Sequence, residues 1–447
     1  MVEPIPTLNG QTDAPGVIQS IQVLTLNKPS GDIIVRQNKN TTVNGFKQPT
    51  QEQITKGSYY DDMNKERKEK EQEIYSLIND FRFSNKKTLT LSPHRMSMSK
   101  LLRLADTTIP GYHENGKIYI NAANELTKML AGELPISLKR AVFVTENAYF
   151  HNTLNYGRYC RQIDSLVIIC KAIMKHFGES PDNKLCCNYA IQALYQDTLK
   201  VGEKTFYPFI YDFDDIFGDK DYSKLMVTKL LNTGMGQCHS MPLLYLILAE
   251  ELHTYAYLAH SPSHSYIKFP FDSSLYDFET TCGKPNTDEW LARWGYVSPQ
   301  AVKTGIYLTP MTTQQTIAQC LADLTTEYVI EYGNDSFVEQ CSETAEYYYP
   351  ACLTAYENFA VSRMALCASL AAKYHNPPME DYSKYPDLRE EFDNMIQFQM
   401  KVDQTGFMQL PEEEYSKMIS IANSEKERRK ENEIKKSIYL HIQSRKQ

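Results

Sequence analysis

The sequence predicts an α+β protein: one central buried helix and a small antiparallel sheet, flanked on both sides by mainly α-helical regions. Three observations carry this. Apolar residues recur at three-and-four spacing through "INAANELTKMLAGELPISLKRAVFVTENAYF" and "RQIDSLVIICKAIMKHFG", and helical sequence returns beyond residue 311, the pattern of helices with one buried face. Alternation of period two, the mark of half-buried strands, is confined to the middle of the chain, in "HSYIKF" and "LYDFETT". Just ahead of those stretches, "LLYLILAEEL" is apolar on nearly every side, as a helix surrounded by core must be.

Residues 1–57 are rich in Thr, Asn, Gln, Pro and Gly and read as a flexible or loosely strand-like leader. Residues 58–185 form a helical region that opens with the charged "YYDDMNKERKEKEQEIYSLINDF" and continues through "SMSKLLRLA" into the striped segments above. Residues 186–310 hold the central helix and the strands, with the turn-like "PFDSS" between two of them and a Trp-containing stretch ending near "GIYLTP". Residues 311–447 are helical again, ending in a tail, "EKERRKENEIKKSIYLHIQSRKQ", that mixes charge signs and reads as a solvated helix. Within this region "AEYYYPACLTAYENFA" has the Ala, aromatic and Pro placement of one tetratricopeptide-type helix pair, without a clean repeat at that period. Helical hairpins are expected there, offering a face to a protein partner. At 447 residues the chain exceeds one core, so two or three packed units are expected.

A net charge of −8 and a pI near 5.8 argue against a nucleic-acid partner, which calls for a basic face. No stretch approaches the ~20 uninterrupted apolar residues of a membrane span, and "MVEPIPTLNGQTDAPG" lacks the apolar core of a signal peptide. Ten cysteines (160, 170, 186, 187, 238, 282, 320, 341, 352 and 367) lie scattered, without a CxxC pair or a Cys/His cluster at zinc spacing. Reduced thiols, no metal and no cofactor are therefore expected. Thiol content suits the cytoplasm, whereas a removed targeting segment would make the protein periplasmic or secreted. The acidic "YDFDDIFGDK" does not have the carboxylate spacing of an EF-hand and reads as a solvated loop near the cleft.

One stretch carries chemistry: "GMGQCHSMPLL", residues 234–244. Proline is tolerated only in a helix's first turn, so Pro242 makes the central helix begin at about His239 or later. Cys238 then stands at the helix N-terminus, where free N–H groups and the dipole favour a thiolate, and Gly236 would allow a tight turn and close approach of a substrate backbone. A thiol nucleophile needs a histidine base oriented by a third group. His239 and His253 are expected to be structural or exposed, whereas His264 opens the first strand of a hairpin. Asp277 and Glu279, two apart on the returning strand, share a face and can lie beside it. The oxyanion would be met by the Cys238 backbone N–H and one side-chain donor, Gln237 or Asn232.

These residues resemble the transglutaminase-like superfamily, which has a papain-like fold. There Gly-x-Cys starts a central helix, a His begins a following strand, and an acid stands on the next in a pattern like aromatic-x-x-Asp-x-Thr. Gly236 and Cys238 match the first element, His264 the second, and "YDFETT" the third, with Tyr276 at the aromatic position and Glu279 replacing the usual Asp. The spacings, 26 and 15 residues, follow in order, and the likeness spans roughly residues 190–310. The resemblance prefers Glu279 to Asp277. With "SMPLLYLILAEEL" and "ETTCG" it points to the bacterial branch in which the core adjoins tetratricopeptide-like helices. It implies a cysteine-dependent acyl-transfer enzyme, a peptidase or amidase acting on a peptide or protein through a thioester. The rival expectation is an inactive core serving as a protein-interaction module, for which the Glu-for-Asp departure speaks.

Overall fold

The computed structural model describes residues 116–407, apart from 197, 202–203, 219 and 289–296, together with residues 420, 424, 427 and 428. The leader, residues 1–57, the charged segment after it, "SMSKLLRLA" and most of the C-terminal tail lie outside the described residues, as does the Trp-containing part of 289–296. Four helices come first: α1 (Lys117–Leu130), α2 (Leu138–Tyr149), α3 (Tyr156–His176) and α4 (Lys184–Gln196). The long striped segment predicted from the sequence is thus two helices. Gly132 takes φ 77° after α1, where glycine is not penalised, and the Ser137 hydroxyl accepts from Arg140 N to cap α2.

The strands all fall after residue 198 among the described residues. β1 (Leu199–Val201) and β2 (Lys204–Phe206) form an antiparallel pair, and β3 (Ile210–Tyr211) runs parallel to β4 (Met235–Gly236). Between β3 and β4 come a 3₁₀ turn, Tyr222–Leu225, and the short helix α5 (Val227–Thr233). The central helix follows as α6 (Ser240–Glu251), buried at every position from Ser240 to Ala249. Pro242 sits in its first turn, where its missing N–H costs nothing.

β5 (Tyr257–Ser261), β6 (His264–Phe271), β7 (Ser274–Glu279) and β8 (Lys284–Asn286) form an antiparallel meander. β6 is longer than "HSYIKF" suggests, because Pro270 and Phe271 continue it. Pro270 lies beyond Lys268, where the pairing of β6 with β5 ends, so its lack of an N–H breaks no ladder there. The architecture is α+β, with α6 packed against β5 and β6.

The C-terminal helices are α7 (Pro299–Lys303), α8 (Thr313–Tyr332), α9 (Ser336–Tyr348), α10 (Leu353–Lys373) and α11 (Pro386–Gln404). From α8 to α11 each packs on the next, as helical hairpins do, and α8 also packs on α1 and α2. Thr312 and Gln315 form a reciprocal capping box at the start of α8. One hydrophobic core therefore takes in Leu126, Ile163, Leu246, Ile267, Leu321 and Phe392. The helical flanks and the mixed middle, separate regions along the sequence, close on one another in space. Residues 116–407 belong to one compact unit.

Candidate active site

Cys238 stands two residues ahead of the first residue of α6 and is 7% exposed. Its thiol interacts with the ring of His264, the first residue of β6, strongly enough to favour the charged ring. His264 Nε2 in turn meets Glu279 Oε2 at 2.5 Å, and Glu279 is 2% exposed at the end of β7. The other carboxylate oxygen, Oε1, accepts from Thr281 N (2.9 Å) and Thr281 Oγ1 (2.7 Å). Thr281 is the threonine of the "YDFETT" pattern, a supporting residue whose signal lay in the sequence.

Register explains which acid reaches the histidine. Ile267 pairs with Phe278 and Lys268 with Asp277, so Glu279 continues the ladder opposite Tyr266, diagonal to His264. Diagonal neighbours are ~7–8 Å apart, a gap long side chains bridge. The extra methylene of Glu suits this position, which gives the Glu-for-Asp departure a geometric reason. Asp277 lies directly across from Lys268 and accepts from its Nζ at 2.8 Å, while Lys268 also reaches Asp288 at 2.6 Å. The structure thus brings Glu279, not Asp277, to His264.

Charge is divided accordingly. Burial opposes a charged His264 ring, but Glu279 and the hydrogen bonds to Cys238 and Glu279 outweigh it and hold the ring's pKa well above its ordinary value. Burial likewise would lift Glu279, yet His264 and Thr281 keep it below the usual range. Burial raises Asp277 to about 6 in spite of Lys268.

The two expected side-chain donors are engaged elsewhere. Gln237 Nε2 donates to the backbone oxygens of Asp212 (3.3 Å), Asp214 (3.1 Å) and Asp215 (3.1 Å). It therefore ties the acidic loop "YDFDDIFGDK" down beside Cys238, and that loop is pinned rather than simply solvated. Asn232 accepts from Arg158 and Gln162 of α3, both at 3.1 Å. A residue the sequence did not offer takes the place next to the sulfur: the Tyr211 side chain interacts with Cys238. Tyr211 pairs with Gly236 in the two-residue parallel ladder, a long-range pairing with no local signal.

Gly236 has a different role from the one its position suggests. A Cβ there would meet Met241 Cγ at 2.7 Å, Leu230 Cδ1 at 3.0 Å and Ser240 Oγ at 3.0 Å. The space is filled by the chain's own side chains, so the glycine serves packing between α5 and α6 rather than substrate approach. Gly236→Ala is expected to lower unfolding free energy by ~1 kcal/mol or more, as overpacking does, read as a lower midpoint in urea. An unchanged midpoint would show that these side chains have room to move. Gly283 is tighter still, with φ 64° and a Cβ position 2.5 Å from the Tyr195 carbonyl oxygen.

His239, adjacent to the cysteine, points into another cluster. Its Nδ1 lies 3.1 Å from Leu225 O and its Nε2 3.1 Å from Asp323 Oδ2. Burial works against the charged ring, but Asp323 and the Leu225 carbonyl raise its pKa to about 9. His253 is exposed, with φ 53° just past α6. Among the described residues, no helix is long and apolar enough to cross a membrane.

No family model matches the chain, and no curated protein matches it. A solved structure of menin that shows its binding site for the Mixed Lineage Leukemia protein is 12% identical, covering 61% of this chain and 74% of that one, with a TM-score of 0.28.

Proposed function

We propose that the protein is a cysteine-dependent acyl-transfer enzyme, a peptidase or amidase built on a papain-like, transglutaminase-like core. The observation that carries the reading is the Glu279–His264 hydrogen bond with the Cys238 thiol interacting with the same ring, placed where a helix buried from Ser240 to Ala249 begins. Nucleophile, base and orienting acid are the parts that thiol acyl transfer requires. The contact of Glu279 with His264 supports the active reading over that of an inactive interaction module.

In this reading the Cys238 sulfur attacks the carbonyl carbon of an amide. With Nε2 committed to Glu279, Nδ1 is the ring atom left for the sulfur, and it delivers its proton to the departing amine nitrogen. The C–N bond breaks and a thioester to Cys238 forms. A water molecule, deprotonated by the same ring, then cleaves the thioester to a carboxylic acid and returns the thiol. Glu279 keeps the ring in the useful tautomer and offsets its charge. The Tyr211 hydroxyl and the Cys238 backbone N–H are the donors available to the developing oxyanion.

Incubating the full chain with a peptide library tests this. Cleavage by the native protein that disappears in Cys238→Ser is expected, with the cleaved bonds read by mass spectrometry. Cleavage retained in Cys238→Ser would place the activity elsewhere. No turnover at all, together with no acyl adduct on Cys238 from a peptide thioester, would defeat the proposal.

A further inference from the structure

Two histidines stand near Cys238, and only His264 has a part in the chemistry above. His239 follows Cys238 directly and is the N-cap residue of α6, without a side-chain hydrogen bond to that helix. Its ring turns instead to the 3₁₀ turn and α8, with Nδ1 3.1 Å from the Leu225 carbonyl oxygen and Nε2 3.1 Å from Asp323 Oδ2. A neutral imidazole has one donor and one acceptor nitrogen. Here both nitrogens face oxygens that accept: a carbonyl has no hydrogen to give, and the other Asp323 oxygen is itself accepting from Gln319 Nε2 at 2.9 Å. Both nitrogens therefore donate, and the ring is an imidazolium.

That cation is placed against the local field. Free N–H groups and the dipole make a helix N-terminus positive, so anions are favoured there and cations are not. Asp323 answers the charge from α8. The other ionisable groups around the ring are Glu327 and Cys320 of α8, Glu146 of α2 and Tyr222 of the 3₁₀ turn. Burial raises the pKa of all four and so works against a second anion there. Glu146 accepts from Val227 N (2.6 Å) and Thr228 N (2.8 Å), whereas Glu327 Oε2 has no hydrogen-bond partner among the described residues. Cys238, on the other side, is among the groups that hold the His239 ring charged.

We propose that His239 is a positioning residue for the Cys238 chemistry: a fixed cation beside the nucleophile that stabilises negative charge on the sulfur and on the tetrahedral oxyanion that follows, without giving up its own proton. The proposal rests on the acyl-transfer reading above and divides the work between two histidines. His264 moves a proton, so its charge is lost when the leaving amine is protonated. His239 is tied at both nitrogens and keeps its charge through that step. A preorganised charge of this kind needs no rearrangement when the oxyanion forms.

Alkylation of Cys238 in the full chain by iodoacetamide, resolved by residue and taken at the pH where the native protein reacts at half its plateau rate, tests it. His239→Gln, whose amide can still donate to Asp323, is expected to react about fivefold more slowly, the scale of one charge at a helix terminus, and His239→Lys, which keeps the charge, within about twofold of native. Circular dichroism checks that both fold. A folded His239→Gln as fast as native, or a folded His239→Lys as slow as His239→Gln, overturns the proposal, because the charge is then not the cause. A second measurement leaves His239 in place: its ring nitrogen chemical shifts are followed with pH in the native protein and in Cys238→Ser. Coupling between two sites is reciprocal, so the His239 midpoint is expected to fall by the same factor, about 0.7 on the pH scale, when the sulfur is removed. An unchanged midpoint overturns the proposal. His264→Ala separates the two readings: slow alkylation there with a native-like His239→Gln removes this proposal alone, whereas a His264→Ala as fast as native removes the reading on which it rests.

Discussion

Iodoacetamide is expected to alkylate Cys238 of the native protein at pH 7 at least about 10²-fold faster than it alkylates the same residue in His264→Ala, the scale on which a positioned acid–base group acts. The thiolate is the reacting species, and the group best placed to stabilise it is the His264 ring, which interacts with the sulfur and is kept charged by Glu279. Removing the ring leaves the sulfur with Tyr211 alone of the side chains named at the site. Glu279→Gln is expected to fall between the two, since the amide keeps its shape and can still accept from Thr281 but cannot balance the ring's charge. The readout must be resolved by residue, because Cys160, Cys186 and Cys282 are more exposed than Cys238. Buried thiols are poor competitors: burial raises Cys341 to about 12. Equal rates in the native protein and a folded His264→Ala would sink the proposed dyad.

What the sequence disclosed and what it hid divide along the range of the interactions. The start of α6 was legible because Pro242 obeys a local rule, and the hairpin bearing His264 and Glu279 because alternation and turn residues are local too. Choosing Glu279 over Asp277 was not a local matter: both share a face, and only the pairing of Asp277 with Lys268 separates them. Tyr211 was invisible because a parallel pairing 25 residues away in sequence, Tyr211 with Gly236, brings it to the thiol. The place of Gln237 is long-range too, its amide serving carbonyls of the preceding acidic loop. The helical flanks were recognised as helices, yet amphipathic spacing does not say which apolar face meets which. That α8 would pack on α1 and α2 is written in no single window of sequence.

The acids of α8 make the opposite kind of prediction, in which a substitution improves the protein. Burial, then the charges of Asp323, Glu146 and Glu331, push the Glu327 carboxyl well above its ordinary 4.5. An acid with a raised pKa in the native state holds more protons folded than unfolded, so its contribution to stability falls as pH rises above ~4.5 and keeps falling until the native group ionises. Glu327→Gln removes that loss and supplies an amide N–H₂ to the neighbouring carboxylates. The variant is expected to gain ~1–3 kcal/mol in unfolding free energy at pH 8, the scale of one buried unsatisfied group, and the gain should shrink toward pH 4, where both states are protonated. Urea denaturation at the two pH values measures it. A loss of stability at pH 8, or a gain that does not change with pH, would mean that the carboxylate has a partner in the native fold.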